Sequence, residues 1–373
     1  MNLFFSEVRA LFQKEKVYLF LFVFIVGFYA LVLFFHKTET HGMETSKGFQ
    51  KIESMLRKTP QESAAIRERL SDRPALGFAV QLFTIAFGGA FLLGLWFGSR
   101  DLWKWFFHPR KLDSSSLPPE ALHVTWGVSE VVKVVVLFFL AAISLNLFLA
   151  LVRLAIPYRL DSTFFVLGHT FILDIAAIFF VLYFIRTSGS EIRDMVGFDL
   201  SFARERIRVF LREFWFGLRT YCVILPPFIG LLAILVFLAT QLSYEPPPHP
   251  LVEVLLEEEK LPLWTALSSL FVACVVGPLV EEIFFRGFLY PALRKYWGMG
   301  GAAVITATLF AGVHENIFSF VPIFFLGFVL CFLYETRKNL ISCISLHMAH
   351  NTAFITYFFL IKSLLLTGGP AHA

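Results

Sequence analysis

Long apolar blocks dominate this sequence and restrict the chain to one class of fold. A helix needs roughly 20 residues to cross about 30 Å of hydrocarbon. Nine blocks approach or exceed that length, the seventh being the shortest: residues 17–35, 75–98, 128–152, 163–185, 221–242, 263–285, 300–313, 317–334 and 340–366. Backbone polar groups in lipid must be hydrogen-bonded within the chain, so each block is expected to be helical. The sequence therefore predicts an all-α polytopic transmembrane helical bundle of about eight or nine spans.

Composition supports this prediction and excludes other classes of protein. Hydrophobic residues make up 57% of the chain and charged residues only 16%, against roughly a quarter charged in soluble domains. No basic surface interleaved with aromatic residues is present, so no nucleic-acid partner is expected. The four cysteines lie in apolar blocks without CxxC spacing and predict neither disulfides nor a zinc cluster. The lipid bilayer is the expected partner.

The arginines between blocks predict the orientation of the chain. Residues 186–219 contain seven arginines, whereas the stretch "EPPPHPLVEVLLEEEK" has five glutamates and one lysine. Because basic loops stay in the cytoplasm, the first segment is expected inside and the second outside. This puts the N-terminus in the cytoplasm, with the long loop 36–74 as the one basic segment that disagrees. We expect an integral multi-pass protein of the cell (inner) membrane.

Two basic, aromatic stretches predict interfacial helices, and a proline run predicts a boundary. In "FARERIRVFLREF" the arginines recur on one helical face, and "RDLWKWFFHPRK" resembles an aromatic belt. We expect both to anchor the protein at the membrane surface. The prolines at 246–250 separate residues 1–245, a transmembrane and interfacial region without recognisable chemistry, from a C-terminal core of residues 246–373 that contains the polar intramembrane motifs.

Three ionisable residues in the sixth block need an explanation. "GPLVEEIFFRGFLY" contains Glu281, Glu282 and Arg286, and a charge at mid-bilayer costs about 2.5 to 3.5 kcal/mol. Glu282 and Arg286 are four residues apart in the favourable order, so they are expected to pair. Glu281 has no cation nearby in sequence, which makes it a candidate general base. A wholly structural Glu–Arg pair is the alternative interpretation of this segment.

Histidines in the later blocks agree with a site at Glu281. His314 ends the seventh block, and Gly298 lies midway between it and Glu281, so a hairpin turned there brings both to equal depth, about 24 Å of helix from the turn. His347 and Asn351 share one helical face of the ninth block. Counted from the turn at Lys338, His347 is expected to be shallower unless its helix tilts. Pro278 is expected to bend the sixth block and to free a backbone carbonyl.

These residue types fit two mechanisms of peptide hydrolysis. In the first, Glu281 takes a proton from water, His314 orients that water, and His347 with Asn351 holds the oxyanion of the scissile carbonyl. In the second, Glu281, His314 and His347 bind a zinc ion that activates the water. The residues alone leave both mechanisms open.

The motifs "EEIFFR", "FAGVH" and "HMAHN" resemble the EExxxR, FxxxH and HxxxN motifs of the CAAX protease and bacteriocin-processing family, which includes the type II CAAX prenyl proteases. The resemblance covers about a quarter of the chain, near residues 263–359. It implies an intramembrane endopeptidase without a cofactor, in which Glu281 and His314 activate water, His347 and Asn351 form the oxyanion site, and Glu282 and Arg286 support the geometry. The implied substrate is a membrane-associated protein or peptide. A zinc enzyme, a non-catalytic scaffold and a proton-coupled transporter remain alternatives.

Overall fold

The structure is a computed structural model that describes residues 2–36, 70–107, 124–155, 162–197, 204–242, 244, 263–314 and 316–365. Every regular element in these ranges is helical: α1 (Asn2–Lys14), α2 (Lys16–His36), α3 (Pro74–Phe107), α4 (Val128–Ala155), α5 (Ser162–Thr187), α6 (Ile192–Val196), α7 (Arg204–Gln241), α8 (Leu263–Phe271), α9 (Gly277–Glu282), α10 (Tyr290–Gly312), α11 (Ile317–Arg337) and α12 (Leu340–Leu365). A π-helical turn, Val272–Val276, joins α8 to α9, and a second, Ile283–Leu289, joins α9 to α10. The proline run lies outside the described residues, so the domain division there remains a prediction.

The membrane-spanning architecture is confirmed, with a lower helix count than the nine apolar blocks. Among the described residues, seven helices are long and apolar enough to cross a membrane. The number rises to eight if Leu3–Lys14 and Lys16–Val32, bent by 101° at their junction, form one span. Block one is counted only as part of that bent pair, and blocks six and seven fall within a single stretch of 46 residues, Leu267–Gly312; together these account for the difference. The chain is a multi-pass, all-α integral membrane protein.

The long stretch folds back on itself at Gly298. This residue has φ 64° and ψ −172° within α10, a backbone conformation that glycine adopts readily because it has no Cβ. The rings of Phe285 and Phe310 lie 5.1 Å apart, although a straight helix would separate these residues by about 37 Å. The midpoint of Phe285 and Phe310 in sequence falls between Trp297 and Gly298, as does that of Glu281 and His314. The predicted hairpin and its register are therefore confirmed.

The N-terminal helices pack onto the motif-bearing helices in one hydrophobic core. Trp126 is fully buried, its ring stacks on Phe288, and its indole N–H donates to the Phe288 carbonyl at 2.9 Å. The Tyr334 hydroxyl donates to the Met195 carbonyl at 2.8 Å. These bonds attach the loop before α4 and the short α6 to the hairpin and to α11.

The Arg-rich segment continues directly into the following pass. Its part from Arg204 onwards forms the first turns of α7, a helix of 38 residues and so about 57 Å long, which exceeds the hydrocarbon thickness. Ile207 and Leu211 are exposed on this part of the helix. Glu213 is buried there, and it accepts hydrogen bonds from Arg337 and from Ser342 Oγ. This carboxylate ties α7 to α11 and α12 at one end of the bundle.

Candidate active site

Glu282, Arg286 and His347 form a buried polar cluster between α9 and α12. The Arg286 guanidinium donates to Glu282 Oε1 at 2.7 Å, and neither side chain is exposed. His347 Nδ1 lies 2.8 Å from the same oxygen. The predicted pairing of Glu282 with Arg286 is thus present, and Glu282 also bonds to the third motif. Oε1 of Glu282 thus joins Arg286, four residues later in the sequence, to His347, 65 residues later.

Aromatic and backbone groups complete the surroundings of Arg286. Its guanidinium lies 4.3 Å from the centre of the Phe310 ring, a cation–π contact, and Nη2 donates to the Gly327 carbonyl at 3.2 Å. A Cβ on Gly327 would lie 3.0 Å from Phe310 Cδ1, so α10 and α11 approach closely at this point. Gly327 was missed by the sequence reasoning, because a glycine in an apolar helix gives no signal of its own.

Glu281 lies beside this cluster and differs from Glu282 in its surroundings. Its side chain is 35% exposed, whereas that of Glu282 is fully buried, and Oε2 of both residues is buried without a hydrogen-bond partner. The nearest described basic group is His347, whose Nε2 is 3.7 Å from Glu281 Oε2. This distance exceeds that of a hydrogen bond. Glu281 is therefore a partly exposed carboxylate within an apolar bundle, and its Oε2 has no hydrogen-bond donor.

His314 reaches the same region from the second arm of the hairpin. Its Nδ1 is 2.8 Å from the Phe310 carbonyl, one turn earlier in α10, and its ring packs against Phe310 at 5.1 Å. The Phe310 ring also lies 5.7 Å from the His347 ring, so both histidines contact the same phenylalanine. With Nδ1 engaged by the backbone, Nε2 is the nitrogen that can act on a water or a substrate.

Asn351 bonds to a carbonyl group that Pro278 frees. In the π turn before α9, the Gly277 N–H donates to the Val272 carbonyl, five residues back. The next donor in this pattern would be residue 278, but proline has no N–H. Asn351 Nδ2 donates to the Ala273 carbonyl at 3.0 Å and so replaces the missing bond. The freed carbonyl was predicted, and its partner was not.

His347 is deeper than the count from Lys338 suggested. Tyr290 and Arg294 both donate to Glu335 at 2.8 Å, so the end of α11 is level with the first turns of α10. The turn at Gly298 therefore extends beyond the turn at Lys338. A number of residues counted from one turn cannot be compared directly with a number counted from the other. His347, nine residues from Lys338, reaches the level of Glu282, eight residues from Tyr290.

The described residues contain no group of three His, Cys, Asp or Glu side chains arranged to hold a metal ion. Of the three side chains suggested as zinc ligands, Glu281 and His347 lie 3.7 Å apart, and His314 contacts the same Phe310 ring as His347. His347 Nδ1, however, is bonded to Glu282, and His314 Nδ1 to the backbone. The two Nε2 atoms and the Glu281 carboxylate are the groups of these side chains that remain for a ligand.

Comparisons with known proteins concern the part of the chain that contains these residues. Residues 262–353 match the family model described as type II CAAX prenyl endopeptidase Rce1-like. The "Putative membrane peptidase YdiL" of Bacillus subtilis is 31% identical over 83 residues, which are 22% of this chain and 34% of that protein. The "UPF0177 protein YbdJ" of Lactococcus lactis is 32% identical over 96 residues, which are 25% of this chain and 38% of that protein.

The chain spans little more than a third of the length of these curated relatives, and no solved structure matches it significantly. All three motifs, and the cluster of Glu281, Glu282, Arg286, His314, His347 and Asn351, fall within the matched segment. The resemblance inferred from the motifs is confirmed for this segment: residues 262–353 are related to the Rce1-like family of type II CAAX prenyl endopeptidases.

Proposed function

We propose that this protein is an intramembrane endopeptidase that hydrolyses a peptide bond of a membrane-associated protein or peptide. The observation that supports this most directly is the state of Glu281. Unlike the fully buried Glu282, it is 35% exposed, and its Oε2 lies 3.7 Å from His347 Nε2 without a hydrogen-bond donor. A general base needs a free acceptor oxygen beside the reacting atoms, and the Rce1-like match supports peptidase chemistry at this position.

Water activation is assigned to Glu281 and His314. Glu281 Oε2 accepts a proton from a water molecule, while His314 Nε2 orients that water towards the scissile carbonyl carbon. The proton on Glu281 can then pass to the leaving amine as the carbon–nitrogen bond breaks. Both side chains are on arms of the same hairpin, and the Phe285–Phe310 contact fixes their relative depth.

Stabilisation of the oxyanion that develops on the scissile carbonyl is assigned to His347 and Asn351. Bonding of Nδ1 to Glu282 orients the His347 ring, and in the protonated form Nε2 donates towards the space beside Glu281. Asn351 has a second N–H besides the one that Ala273 accepts. Glu282 and Arg286 act as positioning residues, because they hold His347 and do not face the reacting bond.

We propose that the reaction requires no metal ion, and chelation tests this. The purified protein should keep its cleavage activity after treatment with a zinc chelator, because proton transfer to Glu281 needs no Lewis acid. The measurement is the rate of cleavage before chelation, after it, and after zinc is restored. A loss on chelation that zinc restores, together with stoichiometric zinc in the active protein, would support the zinc mechanism instead.

Comparison of protein termini tests the proposed activity. Membranes of cells that produce the wild-type protein and cells that produce Glu281→Gln are compared by mass spectrometry of new N- and C-termini. We expect at least one membrane-associated protein to carry a new terminus in cells with the wild-type protein and not in cells with Glu281→Gln. Cleavage of that protein by the purified wild-type protein in liposomes would confirm the activity. Equal termini in both, with both proteins folded, would favour a scaffold or a transporter.

We also propose that the start of α7 faces the cytoplasm, with the N-terminus, in the cell (inner) membrane. Arg208 and Tyr244 are exposed near opposite ends of α7. In a background without the four native cysteines, a membrane-impermeant thiol reagent should label Tyr244→Cys in intact cells and Arg208→Cys only after permeabilisation. Labelling of Arg208→Cys in intact cells would reverse the proposed orientation.

A further inference from the structure

The Phe310 ring contacts one residue from each of the three motifs. Phe310 lies on α10, one turn before His314, and its side chain is buried. The Arg286 guanidinium lies 4.3 Å from the centre of this ring. The ring centres of His314 and His347 are 5.1 and 5.7 Å from it, and the two imidazole planes are inclined to the phenyl plane by 71° and 82°. The family resemblance implied a role for His314 in this motif and none for Phe310.

Phe310 holds His314 through both its backbone and its side chain. Its carbonyl oxygen lies 2.8 Å from Nδ1 of His314, and its ring packs edge to face against the same imidazole. His347 is held by Glu282 through Nδ1 and also packs edge to face against the Phe310 ring. In the proposed mechanism His314 orients the water and His347 stabilises the oxyanion. The Phe310 ring therefore joins the two histidines that have to act on the same peptide bond.

Neighbouring helices hold the Phe310 ring in place. The Phe285 ring meets it edge to face, with the ring centres 5.1 Å apart. On the α11 side, a Cβ on Gly327 would lie 3.0 Å from Phe310 Cδ1 and 3.2 Å from Ala307 Cα. A side chain packed this closely keeps one position, because neighbouring atoms occupy the space around it. The ring can therefore fix the orientation of the imidazoles that pack against it.

The charge distribution of a phenyl ring suits the groups around Phe310. An aromatic ring is negative on its faces and positive at its edge, so it favours edge-to-face contacts with other rings and a cation over its face. His314 and His347 make contacts of the first kind, and Arg286 makes one of the second kind. An aliphatic side chain at this position fills space but supplies neither interaction.

We propose that Phe310 is a positioning residue of this site, and that the negative face and positive edge of its ring orient His314 and His347 relative to Arg286. This inference rests on the proposed peptidase function. Phe310 is buried and acts through the two histidines, so it is not itself a reacting group. Loss of the orientation should lower kcat much more than it changes KM, because the histidines act on the water and the oxyanion in the transition state.

Fluorinated phenylalanines at position 310 test the role of ring charge with little change of shape. The full-length protein carries either para-fluorophenylalanine or an analogue fluorinated at the para and both meta positions, which leaves Cδ1 beside Gly327 unchanged. Fluorine withdraws negative charge from the ring face. The measurements are kcat and KM in liposomes, on the substrate found by terminal proteomics. We expect kcat to fall with each step, to roughly a tenth with the trifluorinated analogue, and KM to change less than about threefold, since a displacement of about 1 Å in a catalytic group can lower a rate about 100-fold.

Phe228 supplies the matched control. Its ring is buried and meets the His350 ring edge to face, with the centres 5.0 Å apart, but His350 has no role in the proposed mechanism. The same fluorinated residues at position 228 should leave kcat and KM as in wild type, and an equal fall in kcat at both positions would overturn the inference. If fluorination at position 310 leaves kcat unchanged while Glu281→Gln is inactive, this inference fails and the peptidase proposal stands. If Glu281→Gln is fully active, the peptidase proposal itself fails.

Discussion

Glu281→Gln should abolish peptide cleavage while leaving a folded, membrane-inserted protein. Glutamine keeps the shape of the side chain, but its amide cannot take a proton from water. We expect cleavage to fall by at least about 100-fold, the lower range for loss of general acid–base catalysis. Stability should change little, because Glu281 Oε2 has no hydrogen-bond partner to lose. The measurements are the rate of cleavage in liposomes and the thermal unfolding of the purified protein.

Glu191→Gln is the matched control for this substitution. Glu191 caps α6, its side chain is 65% exposed, and it forms an ion pair with the exposed Arg193. Surface pairs of this kind contribute little to stability, so both cleavage and unfolding should remain as in wild type. If Glu281→Gln cleaves at the wild-type rate, the assignment of Glu281 as the base is wrong.

Glu282→Gln should destabilise the protein strongly and lower its activity as well. The substitution leaves the Arg286 charge buried without its counter-ion, and breaking a buried pair costs about 3 to 5 kcal/mol. The same oxygen also holds His347 Nδ1, so the ring loses its orientation. We expect a large fall in the unfolding temperature and in the yield of folded protein, and a lower kcat in the fraction that folds.

A double-mutant cycle separates the ion pair from other effects. Replacing Arg286 as well, in Glu282→Gln with Arg286→Met, removes the unpaired charge. The double variant should be more stable than the sum of the two single losses predicts, because the residues are in direct contact. Additive losses would contradict a coupled pair. Activity should not return in the double variant, since His347 still lacks the Glu282 carboxylate.

The contrast between the two adjacent glutamates is the strongest test of the site. Glu281 and Glu282 differ by one position in sequence, but Glu281 is 35% exposed and lies 3.7 Å from His347 Nε2, whereas Glu282 is fully buried and bonded to an arginine and a histidine. Loss of activity with normal stability at the first, and loss of both at the second, distinguishes a reacting group from a positioning group. A structural Glu–Arg pair without catalysis would give the stability effect alone.

Local spacing determined several features that can be predicted from the sequence. Apolar blocks of helical length determine the spans, because a bilayer permits few other backbone structures. The separation of four residues between Glu282 and Arg286 determines their pairing. Gly298, midway between Glu281 and His314, determines the hairpin register, since the two arms have equal numbers of residues.

The tertiary structure decided how separate helices meet. His347 bonds to Glu282 because the turn at Gly298 extends beyond the turn at Lys338, and nothing in the local sequence reveals this offset. Asn351 bonds to Ala273 because a π turn is followed by a proline, which leaves a carbonyl free. The sequence suggested the free carbonyl, but it did not indicate which distant side chain would reach it.

The contribution of the N-terminal region could be seen only in the folded chain. The Trp126 bond to the Phe288 carbonyl and the Tyr334 bond to the Met195 carbonyl both depend on packing between distant segments. Helix faces in a membrane protein are apolar on the lipid side and on the protein side alike, so periodicity does not show which helices are neighbours. The motifs determined the candidate chemistry, and the packing of α10 and α12 against α9 and the π turn that follows it decided which motif residues meet.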